Sequence, residues 1–200
     1  VQNPTRTLED DIAAVKKAMR ELGSAPTVLV GHSYGGTVIS AAASGERHVI
    51  GLVFVAGLVP EKGETVNDII QAAPPTDGFQ ALCRDDEGSA IIDRDAFPAV
   101  FAADLPPERA QVLALSQQWL GPGCYDTPLA VAPAWKTIKS WYLICEQDRV
   151  VHPYVQSAFA TKIGAQTIHL SASHAALLSQ PETIAEAINQ AAVRKAFVTG

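Results

Sequence analysis

Residues 26–39, PTVLVGHSYGGTVI, decide the fold of this chain. The run from Thr27 to Gly31 is short, apolar and rich in β-branched residues, the pattern of a strand buried on both faces of a parallel sheet. Small residues follow from Gly35 through Ala43, and Val38, Ile39, Ala42 and Ala43 suit a helix packed tightly on that strand. Between strand and helix stand Gly31, Ser33 and Gly35. A G-x-S-x-G match is a weak signal by itself, but here it falls at a strand-to-helix turn. In that setting the flanking glycines let strand and helix approach closely, and the serine is held in a strained turn with its hydroxyl projecting. The plainer reading is a tight turn with a capping serine.

Upstream, Leu8, Ile12, Val15, Met19 and Leu22 recur at three- and four-residue spacing, with Glu9, Asp10 and Asp11 in the first turn and Gly23 at the end, which predicts a helix over 7–22. Downstream, HVIGLVFVAG, WYLICEQD and AQTIHL read as further buried strands, separated by segments long enough for crossover helices. A last helix is expected from Pro181 to about Phe197. The alternation predicts an α/β fold with a mainly parallel sheet and flanking helices, as one domain over 1–200. Between Val59 and Lys139 the pattern turns to Pro- and charge-rich stretches such as PPTDG, CRDDEG, LPPER and GPGCYDTP, with short helices near Thr65 and Glu108 and nothing that continues the sheet. An insertion of this length, set at 58–138, reads as a functional cap or lid, against the alternative of a decorative helical insertion.

Composition narrows the function. A net charge of -6 and 18% charged residues give no electrostatic reason to bind nucleic acid or an anionic membrane, so small organic substrates fit better. The three cysteines, Cys83, Cys124 and Cys145, form no close-spaced metal pattern, and their odd number is a poor disulfide framework, although a Cys83–Cys124 pair stays open. No apolar run reaches membrane-spanning length and the first residues lack a signal-peptide pattern. A cytoplasmic protein without metal or cofactor is the expectation. The sequence opens on Val1 within the polar stretch VQNPTRTLEDD rather than on methionine, as a shortened amino terminus would.

A serine that attacks at neutral pH needs a base, and there are five histidines. His32 is the turn neighbour and is expected to point elsewhere; His48 leads into a strand, His152 precedes a proline at a helix start, and His169 lies within the last strand. His174 falls in the loop SASHAALL, just past the carboxyl end of that strand, where ligands bind in open parallel sheets. The orienting acid should follow another strand and precede the histidine, which selects Asp148, with Glu146 as the alternative. Asp85, Asp86, Asp93 and Asp95 belong to the insertion and read as solvated charge. Ser33, Asp148 and His174 thus form a candidate nucleophile, orienting acid and general base.

Taken with VIGLVFVAGLVPEKGE, PAWKTIKSWYLICEQDRVVHP and GAQTIHLSASHAALLSQPETIA, these segments resemble the small α/β hydrolases that include bacterial esterases and the plant methylesterase and hydroxynitrile lyase group. The resemblance covers nearly the whole chain. It implies a shortened α/β-hydrolase fold with a helical cap insertion, Ser33, Asp148 and His174 as the catalytic triad, the backbone N–H of Tyr34 as one oxyanion donor, and a small ester or lactone as substrate. His32, Leu58 and Trp119 are candidate substrate contacts, and Phe79, Phe97, Phe101 and Tyr125 are further aromatic residues of the cap that either line a cleft or fill a core. In the lyases a lysine follows the catalytic histidine; here Ala175 does, which favours hydrolysis. Dehalogenases and epoxide hydrolases of this fold use an aspartate nucleophile, which Ser33 argues against.

Two departures carry expectations of their own. Family members usually begin with additional strands and a His-Gly loop that supplies a second oxyanion donor, and no His-Gly dipeptide occurs in this sequence. Losing one such donor costs on the order of a hundredfold or more in turnover, so weak activity, or a noncatalytic binding role, competes with full catalysis. Without those strands Thr27–Gly31 becomes an apolar sheet edge, which predicts a homodimer that covers it, or a rearranged first helix that does so.

Overall fold

Helix α1 (Leu8–Leu22) begins where the sequence predicts, because the Thr7 side chain accepts the Asp10 N–H at 3.1 Å and three carboxylates occupy the first turn. In the computed structural model, which describes residues 1–193, the chain continues through β1 (Thr27–His32) into α2 (Gly35–Ala42), then β2 (Val49–Val55). The segment after β2 carries α3 (Val66–Ala72), α4 (Asp77–Gln80), β3 (Leu82–Arg84), β4 (Ala90–Ile92), α5 (Phe97–Val100), α6 (Pro107–Leu115), α7 (Pro122–Tyr125) and a 3₁₀ turn at Ala134–Lys136. The chain returns to the sheet as β5 (Ser140–Cys145), followed by α8 (Pro153–Lys162), β6 (Gln166–Leu170), α9 (Ala176–Ser179) and α10 (Pro181–Ala192). Its last helix is therefore described to Ala192; the expected end near Phe197 lies outside the described residues.

The main sheet is parallel throughout, in the order β1-β2-β5-β6. Its two-residue period sorts the core. Leu52 and Phe54 of β2 pack with Val38 and Ile39 of α2, Met19 of α1, Ala160 of α8 and Ile163 just past its end, while Val53 and Val55 pack with Ile184, Ala187 and Ala191 of α10 on the other face. Burial on both faces explains why β2 and β5 read as continuous apolar runs; β6, expected to be buried as well, is mostly exposed apart from Leu170 because it lies at the sheet's other edge. β1 is one of the two edge strands among the described residues, as the sequence predicts, and Val30 on it is exposed.

The inserted segment builds its own core from Val66, Ile69, Ile92, Phe97, Val100 and Leu105, joined by Val150, Val151 and Ala175 from the loops beyond β5 and β6. It resembles a cap. The helices expected near Thr65 and Glu108 are α3 and α6, but the sequence reading missed a two-stranded antiparallel sheet, β3 with β4. Its turn explains it: Asp85 Oδ1 accepts the N–H groups of Glu87 and Ser89, and Gly88 adopts φ +84°, closing a hairpin whose strands are too short to show alternation. All three cysteines are free, Cys83 exposed and Cys124 buried, so the pairing left open by the sequence is not made. Among the described residues, no helix is long and apolar enough to cross a membrane.

Candidate active site

Ser33 occupies the turn between β1 and α2 with φ +51°, a left-handed backbone that a serine adopts only under constraint. The constraint is visible on both sides: its N–H donates to the Val55 carbonyl at 3.1 Å and its carbonyl accepts from Leu58 N–H at 2.9 Å. Gly31 is required here by space, since a Cβ on it would lie 2.5 Å from the Gly35 carbonyl oxygen. Tyr34 stands at the head of α2, where first-turn N–H groups have no intrahelical acceptor. Its phenol donates to Asp11 Oδ2 at 2.9 Å, and the other oxygen of this buried carboxylate accepts from Thr5 N–H, so α1 braces the turn. Burial pushes the Tyr34 phenol well above its ordinary pKa, with Cys124 and Asp11 adding to the effect, so it remains a donor.

Past the carboxyl ends of β5 and β6, His174 Nδ1 and Asp148 Oδ2 lie 2.6 Å apart, and both side chains are wholly buried. Asp148 is held by four donors in all: Val150 N–H at 2.7 Å and Val151 N–H at 2.9 Å on Oδ1, and Gln156 Nε2 at 2.9 Å beside the imidazole on Oδ2. These donors replace the water that a buried carboxylate gives up. His174 Nε2 is buried with no hydrogen-bond partner among the described residues. Ser33 and His174 line one cavity of about 280 Å³, roofed by Val66, Phe79, Leu82 and Tyr125 of the inserted segment. Ser33 Oγ and His174 Nε2 do not hydrogen-bond to each other; such contacts are often loose in ligand-free sites and tighten when substrate binds.

Residues 3–187 match the Alpha/beta hydrolase family. The chain belongs to that family. An alpha/beta hydrolase of Aspergillus novofumigatus, nvfD, is 30% identical over 94% of this chain and 80% of its own length. A carbendazim-hydrolyzing esterase of Nocardioides is 25% identical over 90% of this chain and 77% of its own. Among solved structures, a pyrethroid hydrolase of Sphingobium faniae superposes with a TM-score of 0.80 at 25% identity, covering 93% of this chain and 78% of that one. The relatives are thus fungal as well as bacterial, and this hydrolase is an enzyme of the carboxylesterase type.

Within the hydrolase, the other histidines stand apart from the Asp148 pair, with one exception. His169 faces Glu146 at 3.1 Å on the exposed surface, His48 lies near Glu46, and His152 caps α8. His32 is the exception. Rather than pointing away, its ring stands 4.6 Å from that of His174, and its Nε2 donates to the His174 carbonyl at 2.8 Å. Burial, and then the neighbouring His174, lower its pKa to about 3, so it is neutral. Of the candidate contacts, Leu58 lines the cavity, together with Phe79, Phe101 and Tyr125; His32 and Trp119 do not, and Trp119 lies exposed near Thr5. Phe97 fills the cap core, stacked on Phe101.

Two polar neighbours of the Asp148–His174 pair were not singled out in the sequence. Gln156 bridges Asp148 Oδ2 and the Cys145 N–H, and it could have been noticed as a polar residue on the stripe it shares with Ala160 and Ile163. Asp104, 69 residues from Ser173, accepts that residue's N–H at 3.0 Å, a contact with no local signal.

Proposed function

We propose that this hydrolase cleaves small carboxylic esters through an acyl-enzyme on Ser33. The observation that carries the reading is the buried Asp148–His174 pair, whose free Nε2 belongs to a residue lining the same cavity as the strained Ser33. In this mechanism His174 Nε2 takes the Ser33 hydroxyl proton as Oγ attacks the ester carbonyl, and Asp148 Oδ2 holds the Nδ1–H and the charge that develops on the ring. The tetrahedral oxygen meets the Tyr34 N–H; its collapse expels the alcohol, which leaves with the proton from Nε2. Water then repeats the sequence and frees the acid. Leu58, Val66, Ile70, Phe79 and Leu82 give the cavity an apolar wall, which suits a hydrophobic acyl or alcohol group. Relatives named for hydrolysing carbendazim and pyrethroids agree with such a preference.

Turnover of p-nitrophenyl butyrate that Ser33→Ala abolishes, with fluorophosphonate labelling lost in the same variant, is the expected result. No turnover of any short ester and no labelling would refute the reading. We also propose that two chains pair along β1, whose outer backbone edge carries no further strand among the described residues. Size-exclusion chromatography with light scattering should then report a dimer, and a stable monomer at all concentrations defeats the pairing.

A further inference from the structure

The loop that carries His174 runs from Ser171 to Ala175, between β6 and α9, and it has no strand or helix of its own to fix it. Its first half is tied to the sheet side, since the Ala172 carbonyl accepts the Gln147 N–H at 3.0 Å. Its second half is tied to the inserted segment. Ser173 N–H donates to Asp104 Oδ2 at 3.0 Å, and the Ser173 hydroxyl sits between Asp104 Oδ1 and the Phe101 carbonyl, 2.9 Å from the latter. Ala175 N–H donates to the same Phe101 carbonyl at 2.9 Å. The residues on either side of His174 are therefore both held by one turn of the insertion, and the Phe101 ring meets the His174 imidazole edge-on at 4.7 Å.

We infer that Asp104 is a positioning residue for His174, and that the inserted segment mounts the base as well as roofing the cavity. The inference rests on the reading of His174 as the general base. A loop without regular structure needs such ties if its imidazole is to keep one place, because an error of about 1 Å at a reacting group can cost a hundredfold in rate. Asp104 is suited to the task. Burial works to raise its pKa, but the Ser173 hydroxyl, then the nearby Ser179 hydroxyl and the Ser173 N–H, outweigh this and hold it below the ordinary carboxylate range. It is thus ionised at neutral pH and makes charge-assisted bonds to both donors of Ser173.

The test uses the full chain with Asp104→Ala, Asp104→Asn, Ser173→Ala and the Asp104→Ala/Ser173→Ala double variant, each corrected for its folded fraction by circular dichroism. Asp104→Ala should lower kcat for p-nitrophenyl butyrate by roughly ten- to a hundredfold while KM moves less than about threefold. Asp104→Asn, which keeps an acceptor for the Ser173 N–H, should recover much of the loss, and the double variant should be no worse than the worse single one. A second readout is independent of turnover: the low-field proton resonance of His174 Nδ1–H should broaden or vanish in Asp104→Ala and persist in Asp104→Asn. A folded Asp104→Ala protein with unchanged kcat and unchanged resonance overturns the inference. If the unaltered chain turns over no ester, the esterase reading fails, and the resonance alone then decides whether Asp104 positions the ring.

Discussion

Two histidine–carboxylate pairs hang from the same two strands, and they have little else in common. Glu146 and His169, at the ends of β5 and within β6, meet at 3.1 Å with side chains more than half exposed, whereas Asp148 and His174, a few residues further on, meet at 2.6 Å with none of either side chain exposed. Water competes for every bond in the first pair, and a surface ion pair of that kind contributes between about 0 and 1 kcal/mol. The second pair survives burial only because Val150, Val151 and Gln156 supply the donors that water would have supplied. Enclosure is what sets the two pairs apart, since residue type alone would not distinguish one from the other.

The largest effect that would sharpen the contrast is on turnover. Asp148→Asn should lower kcat by about 10⁴-fold, since it can fix the wrong imidazole tautomer, while Glu146→Gln should stay within about twofold; steady-state kinetics on one ester checks both. Next comes the enclosure itself. Gln156→Leu removes a donor from Asp148 and strands the Cys145 N–H, so urea unfolding should show a loss of about 2 kcal/mol.

An effect smaller per pH unit should appear in acid. His32, whose folded pKa is about 3 because burial and then His174 depress it, takes up a proton more readily when unfolded. Between about pH 6.5 and 3 the unfolded state therefore binds more protons, and stability should fall as pH falls, by up to about 1.4 kcal/mol per unit for one proton. Above that window His32 contributes no such slope. Unfolding of His32→Gln across the same range should show a correspondingly flatter profile, and an equal slope in both proteins would remove His32 as the cause. Smallest of all, His169→Ala should change stability by less than about 0.5 kcal/mol, with the urea midpoint as the measure.

The Asp148–His174 contact was legible because position along the chain carries information in this fold. Asp148 and His174 each follow the carboxyl end of a strand, and β2 and β5 announce their burial on both faces through runs such as Leu52–Val55, whereas β6, read as buried, has only Leu170 buried. What could not be read shares one physical character: it depends on side chains meeting across long separations. The Asp104–Ser173 contact joins the insertion to the loop after β6, the Gln156 bridge depends on which face of α8 turns inward, and the His32 ring position depends on where the β6 loop lands. The β3–β4 hairpin was hidden for a different reason, since three residues per strand give no period to detect.

The turn from Phe101 to Asp104 bears on any attempt to alter which esters the enzyme accepts. Exchanging the inserted segment for that of a relative is an obvious route to a new substrate range, because it furnishes the cavity's apolar roof. Yet that exchange also replaces the carbonyl and carboxylate to which Ser173 and Ala175 are bonded. A graft that retains residues 101–104 keeps the seam between the old sheet and the new roof, whereas one cut without regard to them trades substrate range against the setting of the imidazole.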